Sequence, residues 1–290
     1  MKYACIAAQR DSYPVALMCR VLQVARTGFY AWLERAPSAR AQTDARLRLE
    51  IRAIHAASRR RYGRPRIHRE LRAQGTRVSA KRVGRLLRAD GLRTKRARRS
   101  VTTTQSRSGP PPIPNRLGRQ FAVTQVPGCD RVWVADATAC WTQAGWLYLA
   151  VVLDLASRRV VGWAAGATLD QTLTATALQR ALTLRQPPRG LLHHSDQGTH
   201  YLGGDYQGLL TRHGCRVSCS RRGDCWDNAV MESFFATLKT ELVHEAAWPT
   251  RAQAVAELAA YLDGWYNYER RHSSLGYLSP VEYERQHPAA

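Results

Sequence analysis

The stretch RVWVADATACWTQAGWLYLAVVLDLASRRVVGWAAG, residues 131–166, decides the fold class. It contains three runs rich in Val, Leu, Trp and Tyr, separated by the short turn-like pieces TQAG and SR. Runs of this composition, bounded by turn residues, are typical of β-strands. The stretch therefore predicts three consecutive strands, with Asp136 near the end of the first and Asp154 in the second.

Helical and strand patterns alternate after this stretch. In order, they are a helix DQTLTATALQRALTLR (170–185), a strand GLLHHSD (190–196), a helix DYQGLLTRHG (205–214), a strand CRVSCS (215–220), a helix within RRGDCWDNAVMESFFATLKTEL (221–242) and a long amphipathic helix TRAQAVAELAAYLDGWYNYERR (250–271). This order of elements predicts an α/β domain.

The charge of the chain is distributed unevenly. Residues 1–124 hold 29 Lys and Arg against 6 Asp and Glu, whereas residues 125–290 hold 15 against 16, within a total net charge of +22. A strongly cationic half predicts a polyanionic partner, and nucleic acid is the first candidate. Coding bias explains why Arg outnumbers Lys, but it does not explain why acidic residues are missing from one half only.

The cationic half has helical patterns. YPVALMCRVLQVARTGFYAWLER (13–35) predicts two short helices with a turn near Leu22–Val24. GRPRIHRELRAQG (63–75) and VSAKRVGRLLRADGL (78–92) predict two more, and a helix, a short turn with Gly and a basic helix are typical of a helix-turn-helix module. The candidate DNA-binding residues of this pair are Arg64, Arg66, Lys81, Arg82, Arg85 and Arg88. The alternative is a solvated basic face.

A change of composition separates the two halves. The stretch SVTTTQSRSGPPPIPNRLGRQ, residues 100–120, is rich in Ser and Thr and then contains three consecutive prolines, which is typical of a linker. The predicted organisation is a basic helical region at 1–99, this linker, and an α/β domain at 121–285. No window resembles a membrane span or a signal peptide, so we expect a cytoplasmic protein. The seven cysteines lack zinc-site spacing and are expected to be reduced thiols.

Three carboxylates stand where predicted elements end or begin. Asp136 lies near the end of the first strand, Asp196 ends the fourth, and Glu232 lies one turn inside the helix that follows the fifth. In a sheet whose first and fourth strands are neighbours, these side chains can converge. Carboxylate oxygens are the ligands that Mg²⁺ prefers, and phosphoryl transfer on DNA uses a pair of such ions. The alternative for Glu232 is an ordinary surface position on a helix.

Four blocks of the sequence resemble one known family. They are WVADATACWTQAGWLYLAVVLDLASRRVVGWA, HHSDQGTHY, SRRGDCWDNAVMESFFATLKTEL and YNYERRHSSLGYLSPVEYE. Together they resemble the catalytic second-frame product of bacterial insertion-sequence transposases, which carries a retroviral-integrase-type core. The 35 residues between Asp196 and Glu232 match the spacing of that acidic-triad group. The resemblance implies a ribonuclease H-like fold, a mixed five-stranded sheet with flanking helices, preceded by a small all-α region.

The resemblance also implies a function. Asp136, Asp196 and Glu232 match the catalytic, metal-binding triad, and Lys239 matches a basic residue that touches DNA beside it. The implied reaction is DNA cleavage and strand transfer at the ends of a mobile element by a two-metal mechanism with Mg²⁺, for which Mn²⁺ is expected to substitute. The implied partners are the terminal inverted repeats, target DNA, further copies of the chain on DNA and a fused first-frame helix-turn-helix and coiled-coil product. The expected location is the nucleoid.

Residues close to the triad have other interpretations. His193, His194 and His200 flank Asp196 and are expected to pack or to contact DNA, because Mg²⁺ prefers oxygen ligands. Asp227 and Asn228 are expected to cap the helix that carries Glu232, with substrate contact as the second role for them and for Asp224. A metal role for Asp154 stays open alongside a structural one.

The sequence departs from the family pattern at two places. Ala137–Thr138 stands where the family commonly has Ile–Thr, and Gln23 stands at a turn where Gly is usual. The second departure weakens the first helical pair as an independent DNA reader. Two other functions are compatible with the residues: a DNA-binding regulator with an inactive core, and a ribonuclease or structure-specific nuclease of the same fold.

Overall fold

The three strands predicted over residues 131–166 form an antiparallel meander. They are β1 (Val132–Thr142), β2 (Gly145–Asp154) and β3 (Val160–Gly166). Two short strands, β4 (Leu192–Ser195) and β5 (Arg216–Cys219), extend the sheet on the other side of β1, and each pairs in parallel with its neighbour. The strand order is β3-β2-β1-β4-β5, so the first and fourth strands are neighbours, as the predicted triad requires.

Helices cover both faces of this sheet. The helices of the α/β unit, numbered after the six of the N-terminal unit, are α7 (Gln171–Arg185), α8 (Thr199–Leu202), α9 (Gly204–Arg212), α10 (Ala229–Leu238), α11 (Arg251–Ala259) and α12 (Pro280–Gln286). Alternating residues of β1 divide between two cores. Val134 belongs to the core shared with α10 and α11, whereas Trp133 and Ala135 belong to the core shared with α7, α8 and α9. The sheet is thus buried on both sides, as expected for the near-continuous apolar runs of its strands.

Two helices change their winding part-way. α10 continues as a π-helical turn over Lys239–Val243, and α11 continues as a π-helical segment over Ala260–Glu269. The long amphipathic helix predicted over 250–271 extends from Arg251 to Glu269, and its second half is wound as a π-helix. A buried ion pair joins the two π-helical segments: Arg270 donates from Nε and Nη2 to Glu241, with a shortest distance of 2.9 Å, and Tyr261 Oη donates to the same carboxylate over 2.8 Å. The pair thus links Arg270, at the end of one segment, to Glu241 within the other.

The structure, a computed structural model, describes residues 1–94 and 113–288, and the chain divides into the units Met1–Arg93 and Thr94–Ala290. Residues 100–112 of the predicted linker lie outside the described residues. Residues that follow them are bonded to the sheet: the backbone N–H groups of Arg116 and Leu117 donate to Ser218 Oγ of β5 over 2.8 and 3.3 Å. These bonds attach residues 116–117 to the α/β unit, ahead of the predicted boundary at 121. In the described parts of the chain, no helix is both long enough and apolar enough to cross a bilayer.

The N-terminal unit is all-helical. Its helices are α1 (Lys2–Gln9), α2 (Val15–Val21), α3 (Arg26–Leu33), α4 (Ala39–Ala57), α5 (Arg64–Ala73) and α6 (Ala80–Ala89). The sequence patterns predicted α2, α3, α5 and α6 but not α1 and α4. α1, α2 and α3 share a small core of Ile6, Cys19 and Phe29. In α6, Ser79 accepts a bond from the backbone N–H of Arg82 and Gly91 follows the helix with φ +66°, the predicted start and stop.

The turn between α2 and α3 contains a strained residue. Gln23 has φ +52°, a left-handed conformation in which a Cβ atom is unfavourable. We expect Gln23→Gly to raise the free energy of unfolding of this unit by about 1 kcal/mol, because glycine adopts this conformation without that penalty. Chemical denaturation followed by circular dichroism measures the change. Gln23→Ala is the matched control: it keeps the Cβ atom, and a gain as large as that of glycine would contradict the explanation.

Candidate active site

Strand register brings Asp136 and Asp196 to the same edge of the sheet. β1 and β4 run in parallel with Val134 opposite His194. Asp136 lies two residues beyond Val134, and Asp196 lies two residues beyond His194, at the first position after β4. Both side chains are partly exposed. Backbone N–H groups orient both carboxylates: Ala137 donates to Asp136 Oδ1 over 2.8 Å and Gly198 to Asp196 Oδ1 over 2.9 Å.

The helix α10 brings Glu232 and Lys239 to the same edge. Glu232 is exposed in the first turn of α10, which packs against β1, and Lys239 begins the π-helical turn that follows. Asp136 interacts electrostatically with Asp196, with Glu232 and with Lys239. The structure thus brings together the three predicted triad residues and the predicted lysine, from two strands and one helix that are distant in sequence.

The electrostatics of Asp136 reflect this gathering of charge. The pKa of Asp136 is raised to about 8 by all its surroundings together. Desolvation is the largest cause, since the residue keeps only part of its exposure, and the negative charges of Asp196 and Glu232 add to it against the lowering effects of the Ala137 N–H and Lys239. Like charges placed together disfavour ionisation of all of them. A divalent cation would remove that repulsion, and an oxygen-only donor set is the one that Mg²⁺ takes. The residues present therefore fit such an ion.

A pH dependence of stability follows from Asp136. Its pKa is about 8 in the folded protein and near 3.8 when unfolded, so folding binds a proton between these values and stability falls as pH rises from about 4 to about 8. Asp136→Asn removes this titration. We expect the melting temperature of the metal-free variant to exceed that of the wild type by roughly 3 °C or more at pH 8 and by less at pH 5. Calorimetry at both pH values measures it; a difference that is independent of pH would contradict the assignment.

The histidines beside Asp196 make internal contacts. His193 and His194 are buried on β4, and His193 Nε2 lies 2.9 Å from the Tyr206 hydroxyl. His194 is bonded through both ring nitrogens, to Ser218 and Ser220 and to the backbone oxygen of Asp227. The ring of the partly exposed His200 lies 4.4 Å from that of Tyr201. Burial lowers the pKa of all three, so they pack as neutral rings; a DNA contact stays a prediction for His200 alone.

The loop before α10 differs from the predicted capping arrangement. Asn228 occupies the N-cap position, but its side chain makes no capping bond, and its Nδ2 lies 3.5 Å from the backbone oxygen of Ala135. Asp227 does not cap either. Its buried carboxylate pairs with Arg119 over 2.7 Å and with Arg221 over 2.9 Å, and Asp224 pairs with the same two arginines. We call Asp227, Arg119 and Arg221 the Asp227 clasp. Capping by these two residues was a wrong prediction, because two guanidinium groups compete successfully for the carboxylate of Asp227.

Asp154 has a structural role. It is buried, and its carboxylate accepts bonds from the backbone N–H groups of Asp130 and Ser157, each over 2.7 Å, and from the Ser157 hydroxyl over 2.8 Å. Among the described residues, its oxygen forms with Cys129 and Glu284 a group whose ligand atoms lie within 4.8 Å of one another. Glu284 is already paired with Arg159 and Arg185, and burial raises the pKa of the Cys129 thiol to about 12. Two guanidinium groups and a protonated thiol make a poor cation site.

The predicted triad is spread more widely than that group. Within the described part of the chain, the ligand atoms of Asp136, Asp196 and Glu232 do not all lie within 4.8 Å of one another. Two ions separated by about 3.5–4 Å need ligands on both sides of the pair. The carboxylates that hold two ions are therefore spaced more widely than those that hold one.

The predicted DNA-binding residues of α5 and α6 have different surroundings. Arg82 and Arg85 both pair with Asp44 of α4, over 2.8 and 2.6 Å, and the bond from Arg85 is the main cause that lowers the pKa of Asp44. Their charge is therefore partly balanced within the unit. Lys81 and Arg88 are exposed, although Arg88 also donates to the backbone oxygen of Gly84 over 3.2 Å. On α5, the stem of Arg64 lies against Gly84, and Arg66 lies 5.6 Å from the ring centre of Tyr62.

Comparison with known proteins gives the family. The family Integrase core domain matches residues 128–225 and 213–280, and the family HTH-like domain matches residues 42–100. The Transposase InsF for insertion sequence IS3A of Escherichia coli strain K12 is 40% identical over 291 residues, which cover all of both chains. The chain belongs to the IS3-family transposases. A second relative, the Insertion element IS600 uncharacterized 31 kDa protein of Shigella sonnei, is 41% identical over 274 residues, 94% of this chain and 100% of that one.

Solved structures give a weaker likeness to this transposase. The magnesium complex of the HTLV-2 integrase catalytic core domain in its dimeric form has 16% identity and a TM-score of 0.41, covering 54% of this chain and 97% of that one. The simian T-cell lymphotropic virus intasome with PP2A regulatory subunit B56 gamma has 14% identity and a TM-score of 0.46, covering 82% and 77%. The predicted ribonuclease H-like integrase core and helix-turn-helix region are confirmed by the family matches and the sheet order. The chain acts in DNA transposition as an integrase-type nucleotidyl transferase.

The Asp227 clasp was not predicted from the sequence. Arg119 and Asp227 are 108 positions apart, and Arg119 lay inside the predicted linker. The signal that existed was composition: Asp227 lies in the loop RRGDCWD, in which two arginines are followed closely by two aspartates that can pair with them.

Proposed function

We propose that this transposase cleaves DNA at the ends of its element and joins the exposed 3′-hydroxyl to target DNA, with Asp136, Asp196 and Glu232 holding two divalent ions. The single observation that supports the proposal most is that β1, the end of β4 and α10 bring Asp136, Asp196 and Glu232 to one edge of the sheet, where the last two carboxylates interact electrostatically with the first. Bound Mg²⁺, or Mn²⁺ in its place, would activate the attacking hydroxyl and stabilise the leaving oxygen.

The triad residues and Lys239 would have different roles in this reaction. Asp136 and Asp196 lie on adjacent strands and would form the rigid part of the ion site, whereas the exposed Glu232 would close it from α10. Lys239, whose charge already lowers the pKa of Asp136, would bind a phosphate of the DNA beside the carboxylates. No side chain needs to form a covalent bond to DNA, because water and the DNA hydroxyl are the two nucleophiles of this scheme.

The partners are proposed from charge and resemblance. The N-terminal unit carries most of the excess positive charge of the chain and would hold the terminal inverted repeats through Lys81, Arg88 and Arg64, the exposed members of its predicted set that do not pair with Asp44. We propose in addition that several copies assemble on DNA and that a first-frame helix-turn-helix product is fused to the chain in the working enzyme. Affinity for duplex DNA should then fall with salt by a log–log slope of about −0.9 per phosphate contact.

The products of the reaction test the proposal. Purified protein is incubated with Mg²⁺, a labelled duplex that ends in the inverted repeat bounding the gene, and a supercoiled target. We expect nicked ends and products that join labelled strands to the target. A protein that cuts RNA–DNA hybrids and never joins strands would instead be the nuclease considered above, and one that binds the ends without cutting would be a regulator.

A further inference from the structure

The carboxylate of Asp227 is completely buried and held by two arginines from different parts of the chain. Its side chain has 0% exposure, whereas those of Arg119 and Arg221 have 42% and 59%. Arg119 donates from Nε to Oδ1 over 2.7 Å, and Arg221 donates from its backbone N, from Nε and from Nη2, each over 2.9 Å. Charge-assisted bonds from guanidinium groups are among the strongest that a carboxylate accepts.

The backbone of Asp227 is fixed as well. Its carbonyl oxygen lies 3.0 Å from His194 Nε2. Since Ser218 Oγ accepts the N–H groups of Arg116 and Leu117, its own proton points to His194 Nδ1 over 2.8 Å, which leaves Nε2 to donate to Asp227. His194 lies two residues before Asp196 on β4. The start of α10 is therefore bonded to β4, the strand that immediately precedes Asp196.

The helix α10 depends on these bonds for the placement of its first turn. Asn228 at its N-cap makes no capping bond, and Glu232 is itself exposed. The buried side chains of α10, Met231, Phe234, Phe235 and Leu238, hold the helix against the sheet but lie mostly beyond its first turn. A weakened clasp would therefore let the first turn shift while the apolar contacts keep the domain folded.

We propose that Asp227 is a positioning residue, which sets the place of Glu232 relative to Asp136 and Asp196, and that Arg119 and Arg221 hold it there. The inference rests on the proposed function of the triad. It assigns a role to Arg119, which lies within the predicted linker and pairs with Asp227 beside the site. A misplaced Glu232 would weaken the ion site and slow the reaction without changing how tightly the protein binds DNA.

Three variants test this inference in the full-length chain. Arg119→Gln removes one arm of the clasp at a partly exposed position, Arg119→Lys keeps its charge but not the guanidinium fork, and Asp227→Asn removes the charge at the centre. Arg212→Gln, at an exposed position on α9, is the control for loss of one positive charge. Four quantities are measured: the strand-cleavage rate at saturating DNA, the Kd for DNA, the metal-free melting temperature, and the Mn²⁺ concentration that gives half of the metal-induced rise in melting temperature.

We expect Arg119→Gln to lower the saturated rate at least tenfold and to raise the half-effective Mn²⁺ concentration by roughly 10–100-fold, the range seen when residues that orient metal ligands are lost. Its Kd for DNA should stay within twofold of the wild type. Arg119→Lys should recover part of the loss, because one ammonium group replaces the fork incompletely. Arg212→Gln should leave the rate and the Mn²⁺ response within twofold.

The outcomes separate this inference from the proposed function. If wild-type protein shows no metal-dependent cleavage, the function itself fails. If wild-type protein cleaves, Glu232→Gln does not, and Arg119→Gln matches the wild type in rate and Mn²⁺ response, the positioning role is overturned. If Asp227→Asn does not fold, the Arg119→Gln variant alone decides. An Arg119→Gln variant whose only defect is a raised Kd for DNA also overturns the inference, because Arg119 would then contact DNA directly.

Discussion

Replacement of Glu232 by Gln is expected to abolish both strand cleavage and strand joining, by roughly 10³-fold or more. The amide keeps the size of the side chain and removes the charge that holds an ion from the α10 side. Ion-mediated charge stabilisation supplies several kcal/mol, and each 1.36 kcal/mol corresponds to a factor of ten in rate, which gives this magnitude. Because Glu232 is exposed, the free energy of unfolding should change by less than about 0.5 kcal/mol.

The matched control for this variant is Glu257→Gln, an exposed glutamate on α11 of the same unit. It should cleave and join at the wild-type rate. Both variants should bind end DNA with the wild-type Kd, because neither replaces a cationic group. Cleavage by Glu232→Gln within tenfold of the wild type would remove Glu232 from the chemistry, and the triad would have to be reconsidered.

Loss of Arg270 is expected to produce the largest change in stability. Arg270 has 6% exposure and binds Glu241, so Arg270→Met leaves the largely buried carboxylate of Glu241 without its guanidinium partner. Breaking a buried pair from one side costs about 3–5 kcal/mol. For a unit of this size, that cost corresponds to a fall in melting temperature of roughly 10 °C. Differential scanning calorimetry measures it.

Two further variants show whether the stability lost in Arg270→Met is due to the unpaired charge of Glu241. The double variant Arg270→Met with Glu241→Leu removes both charges and should recover a large part of the lost stability. Arg216→Met, at an exposed arginine of β5, should change the free energy of unfolding by less than about 0.5 kcal/mol. A double variant as unstable as Arg270→Met would show that packing of the arginine stem, rather than charge, sets the loss.

The sheet and the carboxylate positions were predictable because they depend on local patterns. Apolar runs predicted β1, β2 and β3, and the carboxylates of Asp136 and Asp196 could be placed together once β1 and β4 were neighbours. Asp136 lies in the middle of β1 rather than near its end as predicted, because the strand continues to Thr142. Periodicity also predicted α5 and α6 with their ends. A pattern of this kind indicates which face of a helix or strand is buried. Predicting that the triad residues converge required little further information.

The remaining features depend on pairings between distant residues. Arg119 and Asp227, or Arg82 and Asp44, are joined only after the chain has folded, and nothing in the sequence around Arg119 distinguishes it from a linker residue. The π-helical segments are similar, since the residues of 260–269 have an ordinary helical pattern and the altered winding coincides with the pairing of Glu241 and Arg270. Tertiary contacts overrode local preference in each case.

The bonds that residues 115–119 make to the sheet and to the loop before α10 have a practical consequence for anyone who wishes to isolate the catalytic half. A truncated polypeptide that starts at Phe121 would lose Arg119 and the two backbone donors to Ser218, and would leave Asp227 with a single arginine. A polypeptide that starts at Ile113 retains all of them. Low activity in a fragment that starts at Phe121 could therefore result from the lost contacts, whereas low activity in one that starts at Ile113 would be a property of the catalytic half itself.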